Sequence, residues 1–191
     1  MNELPTLETE RLILRPFGPD DASRVEELAG NRAVAEKTSN IPHPYPEGAA
    51  EEWIGRHREA YQKEQDLTLA VTRRKQPEVI GSVHLNLNLP HLAAELGYWI
   101  GVPYWNRGYA TEAAAELIRC GFEDLDLNRI QALHMHSNPA SGRVLEKLGM
   151  QREGLLRQAV LRFNQFHDYV MLAILAEEYH SLKVFPLSVE S

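Results

Sequence analysis

The sequence contains a single cysteine, Cys120, among its 191 residues. One thiol cannot close an internal disulfide or supply a cysteine-rich zinc site, so both are excluded. Long apolar runs are also lacking, because the longest, residues 170–176, is far too short to cross a bilayer. The first residues are acidic and lack a basic segment followed by an apolar one, so we expect no secretory signal.

Basic residues are outnumbered, with 20 Lys and Arg against 27 Asp and Glu, which gives a formal net charge of −7. An acidic chain is a poor general binder of nucleic acid, so we expect neither a nucleic-acid nor a membrane partner. The length is that of one ordinary domain. We therefore expect one cytoplasmic domain over residues 1–191, as a monomer or homodimer, with its core over 7–176 and a loose tail over 183–191.

The spacing of apolar residues predicts both strands and helices. Residues 83–89 alternate strictly between apolar and polar side chains, which predicts a strand with one packed and one polar face. Predicted strands cover residues 11–17, 67–72, 79–89, 93–102, 129–136, 154–163 and 168–175, and predicted helices cover 20–30, 47–62, 110–122 and 140–148. This order of about seven strands and about four helices predicts an α/β fold whose mixed sheet has parallel and antiparallel pairs.

A strand-to-helix turn late in the chain is the most informative segment. The predicted strand at 93–102 is followed by a turn with Arg107 and Gly108, and a helix begins at once. Unpaired N–H groups and the positive end of a helix dipole converge at such a turn, which favours an anion. Gly108 would let a phosphate approach the backbone, and Arg107 and Thr111 would add donors. From spacing alone, an ordinary strand-to-helix turn explains the segment equally well.

A second strand end meets a helix start within residues 134–150. Asn138 falls at the cap position and Ser141 in the first turn, and the simpler interpretation of Asn138 is an N-cap alone. Two such ends side by side form the ligand crevice of an open α/β sheet. The three-glycine dinucleotide fingerprint is missing, which disfavours a dinucleotide-dependent oxidoreductase.

Together these segments resemble the GNAT superfamily of acetyl-CoA-dependent N-acetyltransferases, in its RimJ/RimL-like branch. The matching pieces are residues 7–15 (LETERLILR), 95–100 (ELGYWI), 105–113 (WNRGYATEA), 138–141 (NPAS) and 144–150 (VLEKLGM). The resemblance covers residues 7–176. It implies a mixed sheet splayed between its fourth and fifth strands, and an enzyme that moves an acetyl group from acetyl-CoA to a primary amine.

The resemblance also implies which residues bind acetyl-CoA, the expected cosubstrate. Backbone atoms near the end of the fourth strand would hold the pantetheine and acetyl groups, and the next turn would hold the pyrophosphate. The residues in these two places are Trp99, Ile100, Val102, Arg107, Gly108, Tyr109, Ala110 and Thr111. Asn138, at the start of the following helix, completes this set.

Three catalytic candidates follow from the same resemblance. Many members carry a tyrosine acid on the helix after the fifth strand, where this chain has Leu145. Ser141, one turn earlier, is the candidate acid instead, although a capping role explains it almost as well. Glu95 is the candidate base, with a hydrogen bond to a neighbouring loop as the alternative role. His84 competes with Glu95 because imidazole titrates near neutral pH.

His134 and His136 lie two residues apart on a predicted strand, which is a spacing that can hold a metal. No third ligand follows at a recognisable spacing, so polar strand residues near a ligand site explain the pair better. We therefore expect no metal.

The acceptor amine is left open by the motifs. Residues 40–46 contain three prolines, which stiffen a loop that the family places over the acceptor entrance, so we expect acceptor choice to lie in this loop and the following helix. A peptide α-amine has a pKa of about 7.7–8.0 against about 10.4 for lysine, and a lone carboxylate base suits the lower value. We therefore favour a peptide or protein N-terminus. A polyamine, an antibiotic or an amino acid are alternative acceptors, and a non-catalytic acyl-CoA sensor is the alternative function.

Overall fold

A computed structural model describes residues 3–184 of the chain. Eight strands in this part of the chain form one mixed sheet, in the order β1-β2-β3-β4-β5-β6-β8-β7. The strands are β1 (Leu7–Glu8), β2 (Leu12–Arg15), β3 (Asp66–Arg73), β4 (Gln76–Asn88), β5 (Ala93–Ile100), β6 (Arg129–Met135), β7 (Gln151–Arg162) and β8 (Gln165–Leu175).

Six α-helices accompany the sheet within the described range. They are α1 (Ala22–Ala29), α2 (Arg32–Ala35), α3 (Ala49–Gln62), α4 (Tyr109–Glu123), α5 (Pro139–Lys147) and α6 (Ala176–Val184). None of these helices is both long enough and apolar enough to cross a membrane. The predicted α/β class with a mixed sheet is therefore confirmed.

Three elements of the structure were not predicted from the sequence pattern, which indicated about seven strands and about four helices. β1 pairs through only two residues, and α2 is a four-residue helix that begins where the Asn31 side chain accepts the Ala33 N–H at 2.9 Å. α6 has no continuous apolar stripe, so its spacing gives no helical signal. The tail expected over residues 183–191 overlaps α6 at 183 and 184, and residues 185–191 lie outside the described part.

Alternate side chains of the sheet pack against helices on opposite faces. On one face, Leu85 of β4 and Leu96 of β5 are buried together with Leu117 of α4. On the other face, Trp99 of β5 is buried among side chains that include Ile54 of α3. Each strand of the sheet centre therefore carries one set of side chains to each layer, which confirms the alternation predicted for residues 83–89.

β5 and β6 are paired only over their first halves. The parallel pairing begins with Ala93 opposite Arg129 and ends with Leu96 opposite Ala132. Beyond that point β5 continues along β4 and β6 continues along β8. The two strands diverge toward their carboxyl ends, which confirms the expected splay between the fourth and fifth predicted strands. α4 and α5 begin at this open end, one after each strand.

Candidate active site

The wall of the crevice formed by β5 offers backbone groups to the gap. Trp99 directs its carbonyl toward β4, since a Cβ placed on Gly81 would lie 2.3 Å from that oxygen. Backbone groups alternate in direction along a strand, so Tyr98 and Ile100 direct theirs toward the gap. The Ile100 carbonyl accepts a hydrogen bond from the Trp105 indole N–H at 2.6 Å.

The turn after β5 ends at the amino terminus of α4. A short 3₁₀ turn, Val102–Tyr104, follows the strand, and Gly108 is the N-cap of α4 with φ of +77°. No side chain caps this helix, so the N–H groups of Tyr109, Ala110 and Thr111 lack intrahelical partners. Arg107 and Gly108 are exposed. The arrangement is suited to bind an anion at the mouth of the crevice.

The first turn of α4 is held by the amino-terminal segment of the chain. Glu112 accepts hydrogen bonds from the Thr9 hydroxyl at 2.6 Å, the Arg11 backbone N–H at 2.8 Å and the Arg11 Nε at 2.6 Å. Arg11 also donates to the Arg107 carbonyl at 2.9 Å. Burial raises the pKa of Glu112, but these bonds outweigh it and lower the pKa below its usual value. This brace was not predicted, because its partners are about 100 residues apart.

The other wall of the crevice carries Ser141 on α5, whose hydroxyl contacts that of Tyr98 on β5. Asn138 caps α5, since its Oδ1 accepts the Ser141 N–H at 3.4 Å, while its Nδ2 donates to the Lys37 carbonyl at 3.3 Å. The Ser141 Oγ lies 2.8 Å from the Tyr98 hydroxyl. Burial raises the pKa of Tyr98 to about 12, which the bond to Ser141 only partly opposes, so this hydroxyl keeps its proton at neutral pH.

The sequence analysis did not name Tyr98, although the alternation along β5 predicts which face of the sheet its side chain is on. It has the parity of Leu96 along β5, and therefore points to the face on which α5 packs. Leu145, which stands where many relatives have a tyrosine, is a buried core residue 1% exposed. The phenol is thus supplied from the strand rather than from the helix.

Glu95 lies on the opposite face of β5 from Tyr98. It is partly buried and stands across from Gln131 of β6, whose Nε2 donates to the Glu95 Oε2 at 3.3 Å. This contact is with a neighbouring strand, not with a neighbouring loop as the alternative interpretation proposed. The pairing that joins Glu95 to β6 ends one residue later, so the carboxylate sits at the closed end of the gap.

His84 packs directly over Gly97, because a Cβ at Gly97 would lie 2.3 Å from the imidazole. Burial lowers the pKa of His84, and the nearby carboxylates of Asp66 and Glu95 oppose that shift. Burial raises the pKa of Asp66, which accepts a hydrogen bond from the Thr68 hydroxyl. His84 and Glu95 therefore share one polar patch on the face of the sheet opposite Tyr98.

His134 and His136 have different surroundings. The His134 Nδ1 lies 2.8 Å from the Met135 carbonyl and its ring packs against Gly142, while His136 is exposed after the end of β6. Within residues 3–184, no three His, Cys, Asp or Glu side chains gather into a group able to hold a metal.

The three-proline loop lies beside the crevice and is joined to the β7–β8 hairpin. Ser39 is hydrogen-bonded to the hydroxyl of Tyr169 on β8, and the Arg162 guanidinium of β7 donates to the carbonyls of Ala35 and Ile41. A cavity of about 370 Å³ lies between the end of α2 and this hairpin. Together, the loop, α2 and the hairpin form the second rim of the site.

These features are those of an enzyme that binds an extended, partly anionic ligand and transfers protons at one end of it. The gap between parallel strands suits an extended ligand bound along β5, and the uncapped start of α4 suits the anionic part of that ligand. The carboxylate and the hydroxyl pair suit proton transfer at the far end of the same ligand.

The comparisons agree with that class. The chain matches a family model described as an acetyltransferase (GNAT) domain over residues 11–151. YoaA of Bacillus subtilis, an uncharacterized N-acetyltransferase, is 34% identical over 155 residues, or 81% of this chain and 87% of that protein. The ribosomal protein uS5-alanine N-acetyltransferase of Escherichia coli is 28% identical over 182 residues, or 91% of this chain and 92% of that protein.

A solved structure extends the agreement to the fold. The crystal structure of a GNAT-family acetyltransferase from Bacillus anthracis superimposes with a TM-score of 0.80 at 26% identity, over 91% of this chain and 99% of that one. The chain therefore belongs to the GNAT acetyltransferases and is an acyltransferase.

Proposed function

We propose that this enzyme transfers the acetyl group of acetyl-CoA to the α-amine of a peptide or protein N-terminus, by direct attack in a ternary complex. The observation that carries the proposal is the crevice between β5 and β6, with Glu95 on one face of the sheet and the Tyr98–Ser141 pair on the other. The similarity to a ribosomal-protein N-acetyltransferase supports a protein acceptor.

Acetyl-CoA would bind along β5 and at the start of α4. The backbone groups of Tyr98 and Ile100 that face the gap would hold the pantetheine, with Val102 and Trp99 supporting them from the turn and from the adjacent layer. The pyrophosphate would accept hydrogen bonds from the free N–H groups of Tyr109, Ala110 and Thr111. Gly108 keeps this place open, Arg107 adds a positive charge, and Asn138 fixes the start of α5 nearby.

The reaction requires three events at the carbonyl carbon of the thioester. The ammonium of the acceptor loses a proton, its nitrogen attacks to form a tetrahedral oxyanion, and the C–S bond breaks as the thiolate takes up a proton. Glu95 would accept the first proton, directly or through water, with neutral His84 as the competing base. Backbone N–H groups of β5 would stabilise the oxyanion.

The Tyr98–Ser141 pair would protonate the leaving thiolate. Because burial keeps Tyr98 protonated at neutral pH, its O–H can donate to the Ser141 Oγ, which lies 2.8 Å away. That bond leaves the Ser141 proton free to point into the crevice and go to sulfur, while the tyrosine proton replaces it. The second proton that the attacking nitrogen loses on becoming an amide would return through water to Tyr98. Ser141→Ala should therefore lower kcat roughly 100-fold across the pH range with little change in the KM for acetyl-CoA.

The assignment is tested with matched variants and free-thiol detection of CoA release. Tyr98→Phe should resemble Ser141→Ala, and the double variant should lose no more than either single one, because groups that act as a unit are not additive. Ser137→Ala is the control, since Ser137 is an exposed hydroxyl just before α5. Full activity in both single variants would contradict the acid assignment.

The acceptor and the base are tested by pH. Glu95→Gln should lower kcat most below the pKa of the acceptor, and high pH should restore activity, because free amine is then already present. If this pH effect appears in His84→Asn instead, His84 is the base. Mass spectrometry of mixed peptides should find the acetyl group on α-amines, and faster modification of lysine side chains would overturn the proposed acceptor.

A further inference from the structure

The cavity between α2 and the β7–β8 hairpin is positively charged, although the whole chain carries a net charge of −7. Arg32 is the first residue of α2, Glu36 and Lys37 follow this helix, and the hairpin supplies Arg162 and His167. Arg32 is neutralised within this set, because its Nε lies 2.7 Å from the Glu36 carboxylate. Lys37 and Arg162 are paired with no carboxylate among the described residues.

Arg162 has donors left over after its structural contacts. Its Nη2 donates to the carbonyls of Ala35 and Ile41, which join the hairpin to α2 and the three-proline loop. Its Nε is buried and has no hydrogen-bond partner within the described residues. The buried Nε is closed to solvent, but the guanidinium keeps its full positive charge beside the cavity that it lines, and this charge favours an anion there.

Lys37 connects the cavity to the reacting centre. Its Nζ lies 3.3 Å from the Ser137 carbonyl, and its own carbonyl accepts the Asn138 side chain at 3.3 Å. Ser141 follows in the first turn of α5, about one helical turn, or ~5 Å, further along the chain. An acceptor whose amine reaches the crevice would therefore extend its next residues toward the cavity.

We infer that the cavity formed by Lys37 and Arg162 binds a carboxylate of the acceptor, and that the preferred acceptor is a peptide with Asp or Glu at its second or third position. The inference rests on the proposed function and names the substrate class of that site. In a free amino acid a single carbon separates the α-carboxylate from the amine, whereas an extended peptide advances about 3.3–3.6 Å per residue and can carry its carboxylate from the crevice toward the cavity. A polyamine is positively charged, so the positive charges of Lys37 and Arg162 would repel it.

The test compares synthetic peptides that differ only by Glu or Gln at positions two and three, with free glutamate and spermidine as further acceptors. We expect the wild-type kcat/KM to be about 10- to 100-fold higher for the Glu peptides, the range of a hydrogen bond to a charged group. The preference should shrink as salt is added, because the cavity is open to solvent. A preference for free glutamate or spermidine would overturn the inference.

Charge variants locate the effect. Lys37→Gln should raise the KM for the Glu peptides about tenfold or more, with little change for the Gln peptides, in kcat or in the KM for acetyl-CoA. Arg162→Gln should raise the KM for the Glu peptides at least as much. The double variant Arg32→Gln/Glu36→Gln is the matched control, because it removes an ion pair from the cavity lining without changing the net charge of the cavity. Since Arg162→Gln also removes contacts to the loop, Lys37→Glu provides the second test and should reverse the preference toward Lys-containing peptides.

The outcomes separate the two proposals. Peptides acetylated at equal rates with Glu and Gln would overturn the anion site and leave the proposed function intact. Acetylation of small amines but of no peptide would overturn the proposed function and this inference together.

Discussion

The two sides of the crevice are built in different ways. The proposed cofactor side is built mainly from one contiguous segment, the end of β5 and residues 101–111, whose shape is set by a 3₁₀ turn, a left-handed Gly108 and the start of α4. The proposed acceptor side is assembled from two distant parts of the chain, α2 with the three-proline loop and the β7–β8 hairpin.

The two sides also differ in what holds them. Charge-assisted hydrogen bonds from Arg11 to Glu112 and to the Arg107 carbonyl fix the cofactor side. The proposed acceptor side is held by bonds from the charged side chains of Arg162 and Lys37 to backbone carbonyls, and neither side chain has a carboxylate partner among the described residues. We therefore expect the proposed acceptor rim to tolerate changes that leave the proposed cofactor turn intact, and variants on each side test this separation.

Gly108→Val should give the largest effect on the cofactor side. Residue 108 has φ of +77°, and an added Cβ would lie 3.2 Å from Arg11 Nη2 and fill the place proposed for the pyrophosphate. We expect the Kd for CoA, measured by calorimetry, to rise at least about 100-fold through loss of backbone bonds to the anion.

Gly48→Val is the matched control for backbone strain. Gly48 is also a helix N-cap, with φ of +76°, but it begins α3 and an added Cβ would meet nothing within 4 Å. Both variants should lose about 1–2 kcal/mol of stability through the left-handed conformation, and only Gly108→Val should lose CoA affinity. Unchanged affinity in folded Gly108→Val would refute the assigned phosphate site.

His57 should make the acceptor-side layer sensitive to acid. This histidine of α3 is 7% exposed, packs against Phe17 and Trp53, and has no hydrogen-bond partner for either ring nitrogen within the described residues. Burial, with smaller contributions from His84 and Arg56, lowers its pKa to about 4. The unfolded chain binds this proton near pH 6.5, so folding stability falls as pH drops from 6.5 to 4.

The expected loss is about 3 kcal/mol in the free energy of unfolding below pH 4, at ~1.4 kcal/mol per pKa unit. His57→Leu should remove this part of the pH dependence and be at least as stable as wild type at pH 7, because it deletes unpaired buried groups. Ile54→Leu, one turn away on the same helix face, controls for packing and should keep the wild-type slope. Equal slopes in wild type and His57→Leu, measured by denaturant titration, would show that His57 has no such role.

The sequence was informative where structure follows from neighbouring residues. The alternation in β4, the splay between β5 and β6 and the turn at Gly108 are local or motif-like patterns, and the structure has all three. Glu95 and Ser141 were named from the same motifs, and the structure places them on opposite faces at the crevice.

What could not be predicted depends on distant pairs. The Arg11–Glu112 brace, the Tyr98–Ser141 pair and the Arg162 contacts to α2 join residues 43 to 127 positions apart, and no spacing rule connects them. α2 was missed for a different reason, since four residues are too few to give a period and its cap Asn31 also suits a turn. The acceptor side is therefore the part for which sequence alone says least.

The separation of the two sides can be tested at the three-proline loop. Replacing Pro42, Pro44 and Pro46 with Ala should loosen a loop whose ordering then has to accompany acceptor binding. We expect the acceptor KM to rise about 3- to 10-fold, the cost of immobilising one or two flexible groups, while the Kd for acetyl-CoA stays nearly constant. Pro103→Ala is the reciprocal variant, because Pro103 lies in the turn between β5 and α4 and should affect CoA binding without changing the acceptor KM. Equal effects of the triple variant on both substrates would mean that the two sides are coupled, and acceptor choice would then not belong to the loop alone.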